Sequence, residues 1–132
     1  MLCVDANILL RCLLKDDPIQ TPKALSFLQR SLASKEDVYV PDVVIMETVW
    51  VLQKLHPKNS GQLFSALESL VMDDRIRFDH RGRLQRALAL CSLHGVSIVD
   101  AYLAAAVDGE PGSQLVTFDK ELKKISASPY PL

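Results

Sequence analysis

Short apolar runs and longer segments with helical spacing alternate along this chain. The strand-like runs are Leu2–Val4, Val38–Val40, Arg75–Phe78 and Leu115–Phe118. Between them, apolar residues recur at offsets of three and four, which indicates amphipathic helices. Strands that alternate with helices are typical of an α/β fold in which helices cover both faces of a parallel sheet. We therefore predict such a fold, with its ligand site at the carboxyl ends of the strands.

The length and composition predict one soluble domain. A chain of 132 residues suits a single core, so we expect one domain over residues 1–132, with a loose tail at 126–132. Three cysteines stand among apolar neighbours and are predicted to be small buried side chains instead of disulfides: Cys3, Cys12 and Cys91. No charged region precedes the first apolar run, and no apolar run is long enough to span a bilayer. We therefore expect a cytoplasmic protein.

Four acidic residues stand in apolar surroundings instead of on polar faces: Asp5, Glu47, Asp100 and Asp119. Helix capping accounts for three of them when each is taken singly. Asp5 and Asp119 would cap the helix that follows their strand, and Ser97-x-x-Asp100 resembles a capping box. Glu47 lies well inside its helix, where no cap is needed. It is therefore either part of a buried salt bridge or an inward-facing functional group.

Taken together, the four acids indicate a metal site if they converge. Carboxylates that pack together repel one another and raise one another's pKa values. A hard divalent cation such as Mg²⁺ or Mn²⁺ removes that conflict, because it prefers carboxylate oxygen. Such a cation can polarise a phosphodiester, generate hydroxide and neutralise the leaving oxygen. This chemistry needs no histidine base, and the three histidines lie near predicted turns or helix ends: His56, His80 and His94.

The segments around these acids resemble the four motifs of the PIN-domain ribonucleases, in particular the VapC-type toxins of bacterial toxin–antitoxin pairs. Val4-Asp5-Ala6-Asn7 resembles the opening Asp-x-Asn motif, and residues 47–52 resemble the second motif. Residues 99–106 resemble the third motif and residues 116–122 the fourth. The resemblance extends from Cys3 to about Leu122, and four motifs in order are more specific than any one alone.

This resemblance implies a fold, an activity and partners. The fold would be a three-layer α/β/α sandwich around a parallel sheet of four or five strands. The protein would be a Mg²⁺- or Mn²⁺-dependent endoribonuclease and the toxin of a toxin–antitoxin pair, a homodimer that a cognate antitoxin protein inhibits. The catalytic and metal-binding residues would be Asp5, Glu47, Asp100 and Asp119, with Asn7 and Thr117 as polar support.

Basic residues are concentrated in one segment, although the net charge of −1 gives no overall positive field. Five of the fifteen basic residues lie there: Arg75, Arg77, Arg81, Arg83 and Arg86. One interpretation is a solvated surface whose charges pair with Asp73, Asp74 and Asp79. The other is that some of these arginines contact RNA phosphates, which guanidinium groups bind well.

Apolar positions on the early helices are predicted to belong to the core. They comprise the segments 25–32 and 63–71, and Trp50 is predicted to be a core anchor. If the protein dimerises or binds an antitoxin, these helices are the natural surface for it.

Two other classes of protein remain open. A phosphorylation-switched receiver domain also clusters acids at strand ends near a threonine and a lysine, for which Asp5, Thr117 and Lys120 would serve. Its phosphoacceptor would have to be Asp42, which Pro41 and the helical pattern after it disfavour. The other class is a PIN-like module that binds RNA or protein without cleaving it, and the intact set of four acids argues against that class.

Overall fold

The chain divides into two compact units, residues 1–79 and residues 80–132. The computed structural model describes residues 1–57 and 60–132. The proline, asparagine and glycine at 56–61 predict a turn, of which Lys58 and Asn59 lie outside the described residues. Each unit has its own set of buried apolar side chains.

A parallel sheet organises the first unit. Its strands are β1 (Leu2–Cys3), β2 (Val38–Tyr39) and β3 (Ile76–Arg77), in the order β1-β2-β3. Backbone hydrogen bonds continue the pairing one residue past β1 and one residue past β2. The Val4 N–H donates to the Tyr39 carbonyl at 2.9 Å, and the Val40 N–H donates to the Arg77 carbonyl at 2.9 Å. The strands therefore end together at one carboxyl edge.

The described residues of the first unit also form the helices α1 (Ala6–Leu14), α2 (Gln20–Ala33), α3 (Asp42–Leu55) and α4 (Ser60–Val71). Helix α1 packs against α2 and α3, and α3 packs against α4. Lys15 ends α1 in a left-handed conformation, with φ of 53°, and its N–H donates to the Arg11 carbonyl at 3.1 Å. The largest fully buried side chains of these helices are Leu9, Ile45, Leu52 and Leu67.

The second unit contains α5 (Arg81–His94), α6 (Ile98–Asp108) and α7 (Lys120–Ile125). Helix α5 packs against α6, and α6 packs against α7. Ala101, Ala104 and Ala105 are buried on α6, and such small side chains let neighbouring helices approach closely. Gly95 follows the last residue of α5 with φ of 66°; a glycine after His94 is the sequence pattern typical of such a left-handed cap, and the structure confirms it.

The parallel sheet confirms the predicted α/β class, but the number of strands was wrong. The described part of the chain has three strands, not four or five. Residues 115–118 were predicted to form the last strand, and only Leu115 pairs there, in a single parallel bridge with Pro129. Val116 and Phe118 are 61% and 86% exposed, so this run does not have the buried surroundings that its apolar composition indicated. The three-layer arrangement stays a prediction.

The segment 126–132, predicted as a loose tail, is hydrogen-bonded to the main body of its unit. The Leu115 N–H donates to the Ser128 carbonyl, and the Tyr130 N–H donates to the Leu115 carbonyl, both at 2.8 Å. The segment contains two prolines, one of them Pro129. Proline has no backbone N–H to extend a ladder, so the pairing is limited to one bridge.

Several predicted core positions are exposed. Trp50 is 48% exposed and Leu25 is 39% exposed, so the prediction that Trp50 is a core anchor was wrong. Among the cysteines only Cys91 is buried, whereas Cys12 is half-buried and Cys3 is exposed. Burial nevertheless raises the pKa of the Cys12 thiol. Periodicity identified which segments are helical but did not fix which apolar face of each helix points inward.

The helices are short. The longest in the described part of the chain are α2, α3 and α5, with 14 residues each. At about 1.5 Å per residue such a helix falls short of the roughly 30 Å core of a bilayer. Accordingly, none of the described helices is long and apolar enough to cross a membrane.

Candidate metal centre and nucleic-acid surface

Asp5 lies where β1 leads into α1, at the carboxyl edge of the parallel sheet. Its backbone is extended, and its Oδ1 accepts a hydrogen bond from the Ile8 N–H at 3.1 Å. The helix cap that the sequence indicated is therefore present. Capping engages one carboxylate oxygen of an exposed side chain, so Oδ2 lies outside that bond and can serve a second ligand.

A groove of about 450 Å³ runs beside Asp5 between α1 and α2. Its lining combines Asp5 and Asn7 with Arg11, Lys23 and Phe27. Asn7 and Arg11 share one face of α1 because they are four residues apart, and Lys23 and Phe27 share one face of α2 for the same reason. Arg11, Lys23 and Phe27 were not predicted from the sequence to be site residues. The spacing of Arg11 from Asn7 was the available signal.

Glu47 lies in the second turn of α3, and its side chain is exposed. The prediction of an inward-facing glutamate was therefore wrong. The buried face of α3 carries Val49 and Leu52. Val43 and Trp50, which are 66% and 48% exposed, share the outer face with Glu47 at offsets of four and three. An exposed carboxylate is accessible to a cation from solvent.

A hydrogen-bonded network of Tyr39, Asp42 and Asp79 occupies the same edge of the sheet. The Asp42 N–H donates to Asp79 Oδ2 at 2.8 Å, and the Asp79 N–H donates to Asp42 Oδ1 at 3.0 Å. The Tyr39 hydroxyl donates to Asp79 Oδ1, and this hydrogen bond, with burial and the nearby negative charge, raises the pKa of Tyr39. Asp42 is 4% exposed, so it does not offer the accessible carboxylate that a receiver-type phosphoacceptor requires.

Asp119 caps α7 in the second unit. Its Oδ1 accepts hydrogen bonds from the N–H groups of Glu121 at 2.8 Å and Leu122 at 3.2 Å. Thr117 Oγ1 in turn accepts a hydrogen bond from the Asp119 N–H at 3.0 Å. Thr117 thus fixes the backbone from which the Asp119 carboxylate projects, and Asp119 Oδ2 stays outside the capping bonds.

Asp100 lies in the first turn of α6, and its side chain is half-buried. Its N–H donates to Ser97 Oγ at 3.2 Å, which is the N-cap half of the capping box predicted from the sequence. Since α6 packs against α7, Asp100 and Asp119 project from the starts of two helices in contact.

The arginines of the basic segment differ in their surroundings. Arg75 binds Asp73 through two contacts, Nε to Oδ1 at 3.0 Å and Nη2 to Oδ2 at 2.8 Å. The hydrogen bond to Asp73 raises the pKa of Arg75. This pair matches the charge-pairing interpretation of the segment. Arg77 is exposed.

Arg83 and Arg86 line a cavity of about 510 Å³ in the second unit, together with His80. Arg83 Nη2 lies 3.3 Å from Glu110 Oε1, whereas Arg86 is exposed. Of these two cations, Arg86 is the better placed to meet an external anion, because its charge is not committed to Glu110.

The four predicted acids are divided equally between the two units. Asp5 and Glu47 belong to the first unit, and Asp100 and Asp119 belong to the second. Within each unit, the described residues contain no cluster of three histidine, cysteine, aspartate or glutamate side chains for a cation. The donor chemistry still suits a hard divalent cation. All four groups are carboxylates, and Asp5 and Asp119 each keep one oxygen outside the capping bonds.

A carboxylate that follows a strand of a parallel α/β sheet, as Asp5 does, is typical of α/β proteins that bind a ligand at that edge. The sequence model of the PIN-domain family matches residues 2–128, nearly the whole chain. The chain therefore belongs to the PIN-domain family, as its motifs indicated. The PIN domain is generally a nuclease fold, and PIN-domain nucleases usually use divalent metals. No curated protein matches the chain.

Proposed function

We propose that this protein is a Mg²⁺- or Mn²⁺-dependent endoribonuclease that hydrolyses RNA phosphodiester bonds. The observation that carries the proposal is the match to the PIN-domain family over residues 2–128. Asp5, at the carboxyl edge of a parallel sheet, supports it, because one oxygen of its exposed carboxylate is left over after capping. That edge is where open α/β sheets bind their ligands.

Asp5, Glu47, Asp100 and Asp119 are the metal ligands in this proposal, for one divalent cation or two. When bound, a divalent cation supplies Lewis acidity and lowers the pKa of water. The chain's own contribution is to orient the carboxylates. Capping bonds hold Asp5 and Asp119 in place, and Thr117 fixes the Asp119 backbone. Asn7, two residues after Asp5, is a polar support on the first turn of α1.

The biological role that we propose is the toxin of a VapC-type toxin–antitoxin pair, acting on RNA in the cytoplasm. Its partners would be a second copy of the chain and a cognate antitoxin protein. Exposed apolar side chains on early helices offer surface for such partners: Leu25 on α2, and Val43 and Trp50 on α3. An antitoxin-like reading frame directly upstream of the coding sequence would support this assignment.

The test is cleavage of a panel of structured and single-stranded RNAs by the purified protein. We expect endonucleolytic products with Mg²⁺ or Mn²⁺, none with EDTA, and recovery when excess Mn²⁺ follows the chelator. Equal cleavage with EDTA would contradict metal dependence. Binding without cleavage of any RNA would instead favour a PIN-like module that recognises RNA but does not cut it.

A further inference from the structure

The groove between α1 and α2 combines features that suit a nucleotide. Its volume of about 450 Å³ lies within the range of roughly 300–1,000 Å³ that is usual for small-molecule and cofactor sites. Its lining includes two cations, Arg11 and Lys23, two amides, Asn7 and Gln20, and one aromatic ring, Phe27. Cations bind phosphate, amides bind base edges or sugar hydroxyls, and an aromatic ring stacks with a base.

Lys23 is the cation of the groove that is best placed to meet an anion, since Arg11 is paired with Asp16 and Asp5 adds a negative charge to the lining. Lys23 is exposed, and its ammonium group is a mobile point charge that can reach a phosphate. Arg11 Nη1 binds Asp16 Oδ1 at 2.9 Å. Among the residues that the structure describes, Arg11 Nε is buried and has no hydrogen-bond partner. A buried donor without a partner costs free energy, so an anion that accepts a hydrogen bond from Arg11 Nε would be stabilised while Nη1 keeps its contact with Asp16.

The position of Phe27 favours a base. Its side chain is half-buried, so the ring is held in place while part of it faces the groove. Lys23 and Phe27 are one helical turn apart, about 6 Å along α2. A single nucleotide can therefore present its phosphate to Lys23 and its base to Phe27.

We infer that this groove seats a nucleotide of single-stranded RNA that adjoins the bond to be cut. The phosphate lies at Lys23 and Arg11, and the base stacks on Phe27. Asp5 and Asn7 line the same groove, which places the seated nucleotide next to the first residue of the proposed metal site. This inference rests on the proposed function and names the part of the substrate that α1 and α2 hold.

The test is the affinity of a short single-stranded oligoribonucleotide, measured by fluorescence anisotropy in EDTA so that binding is separated from cleavage. Lys23→Gln should weaken binding and lower the slope of log affinity against log salt by about 0.7, the value for one phosphate contact on a single strand. Phe27→Leu should weaken binding about fivefold or more. Lys35→Gln removes an exposed lysine outside the groove and should leave the affinity closer to that of the wild type.

An oligoribonucleotide with abasic residues separates stacking from other effects. The loss caused by Phe27→Leu should vanish on the abasic strand, while the loss caused by Lys23→Gln should persist. The inference is overturned if Lys23→Gln has the same affinity as Lys35→Gln, or if Phe27→Leu lowers the affinity equally for the ordinary and the abasic strand. It is also overturned if the wild type binds neither oligoribonucleotide.

The outcomes also separate this inference from the proposed function. Metal-dependent cleavage with unchanged affinity in both groove variants would leave the ribonuclease proposal intact and overturn the groove assignment. If Phe27→Leu weakens binding only on strands that carry bases, but the wild type cleaves no RNA, the groove assignment is supported and the ribonuclease proposal is contradicted.

Discussion

Asp42 and Asp79 hold each other through reciprocal hydrogen bonds at the carboxyl edge of the parallel sheet. The backbone N–H of each residue donates to the carboxylate of the other, at 2.8 Å and 3.0 Å. Asp79 follows β3 and Asp42 begins α3, so the pair connects the end of one strand to the start of the helix that carries Glu47. Tyr39 adds a third hydrogen bond to Asp79.

Removing the Asp79 carboxylate should destabilise the protein. Asp79→Ala leaves the backbone N–H of the buried Asp42 without this acceptor, which typically costs about 1–3 kcal/mol. Urea unfolding measures the loss. Asp74→Ala removes a neighbouring exposed acid and should change the free energy of unfolding by less than about 0.5 kcal/mol. Similar losses in the two variants would show that the reciprocal bonds are not stabilising.

Asp17 should make the stability depend on pH in the acid range. Its Oδ1 accepts hydrogen bonds from the Gln20 N–H at 2.7 Å and the Ile19 N–H at 2.9 Å, and these bonds lower the pKa of Asp17. A lowered pKa means that the folded state favours the charged form. The stabilisation is therefore fully present above the ordinary aspartate pKa of about 3.9 and is lost as the pH falls through the lowered value.

Asp17→Asn keeps an oxygen acceptor but removes the titrating charge. We expect the wild type to have the higher melting temperature at neutral pH, and the difference to disappear in strong acid. A difference that does not change with pH would contradict this assignment of the pKa shift.

Divalent metal should stabilise the folded protein. A ligand that binds only the native state at 100 times its Kd adds about 2.7 kcal/mol to the free energy of unfolding. Titration with Mn²⁺ should therefore raise the melting temperature of the wild type, and Glu47→Gln should reduce that rise. Glu36→Gln changes an exposed glutamate that is not among the four acids and should respond to Mn²⁺ like the wild type. If Mn²⁺ raises the melting temperature of Glu47→Gln as much as that of the wild type, Glu47 does not belong to the proposed metal site.

The arginines should differ in their contribution to RNA binding. Arg75 is committed to Asp73 by two contacts, whereas Arg86 is exposed on a cavity. Arg86→Gln should weaken RNA binding and lower the salt slope by about 0.7, and Arg75→Gln should do so less. Anisotropy titrations at several salt concentrations measure both quantities. A larger loss of RNA affinity in Arg75→Gln than in Arg86→Gln would show that the ion pair between Arg75 and Asp73 opens to bind RNA.

Local features of this fold could be predicted from the sequence. The caps at Asp5, Ser97, Asp119 and Gly95 depend on a few neighbouring residues, and the structure has all of them. The pairing of Arg75 with Asp73 is similarly local.

Features that depend on distant partners could not be predicted. Helix α3 has apolar side chains on opposite faces, so its periodicity did not show that Glu47 and Trp50 point outward. The run 115–118 has strand composition, but its only bridge within the described residues is to Pro129. The groove lining at Arg11 and Lys23 comes from the packing of two helices, which neither helix reveals alone.

If Asp5 takes part in metal-dependent cleavage, Asp5→Asn should abolish cleavage without unfolding the protein. Asparagine caps helices about as well as aspartate, so the free energy of unfolding should change by less than about 1 kcal/mol. Asp37→Asn, at an exposed acid beside β2, is the matched control. The measurement is the initial rate of RNA cleavage in Mn²⁺. We predict no detectable cleavage by Asp5→Asn and a wild-type rate for Asp37→Asn, whereas a wild-type rate for Asp5→Asn would contradict the account.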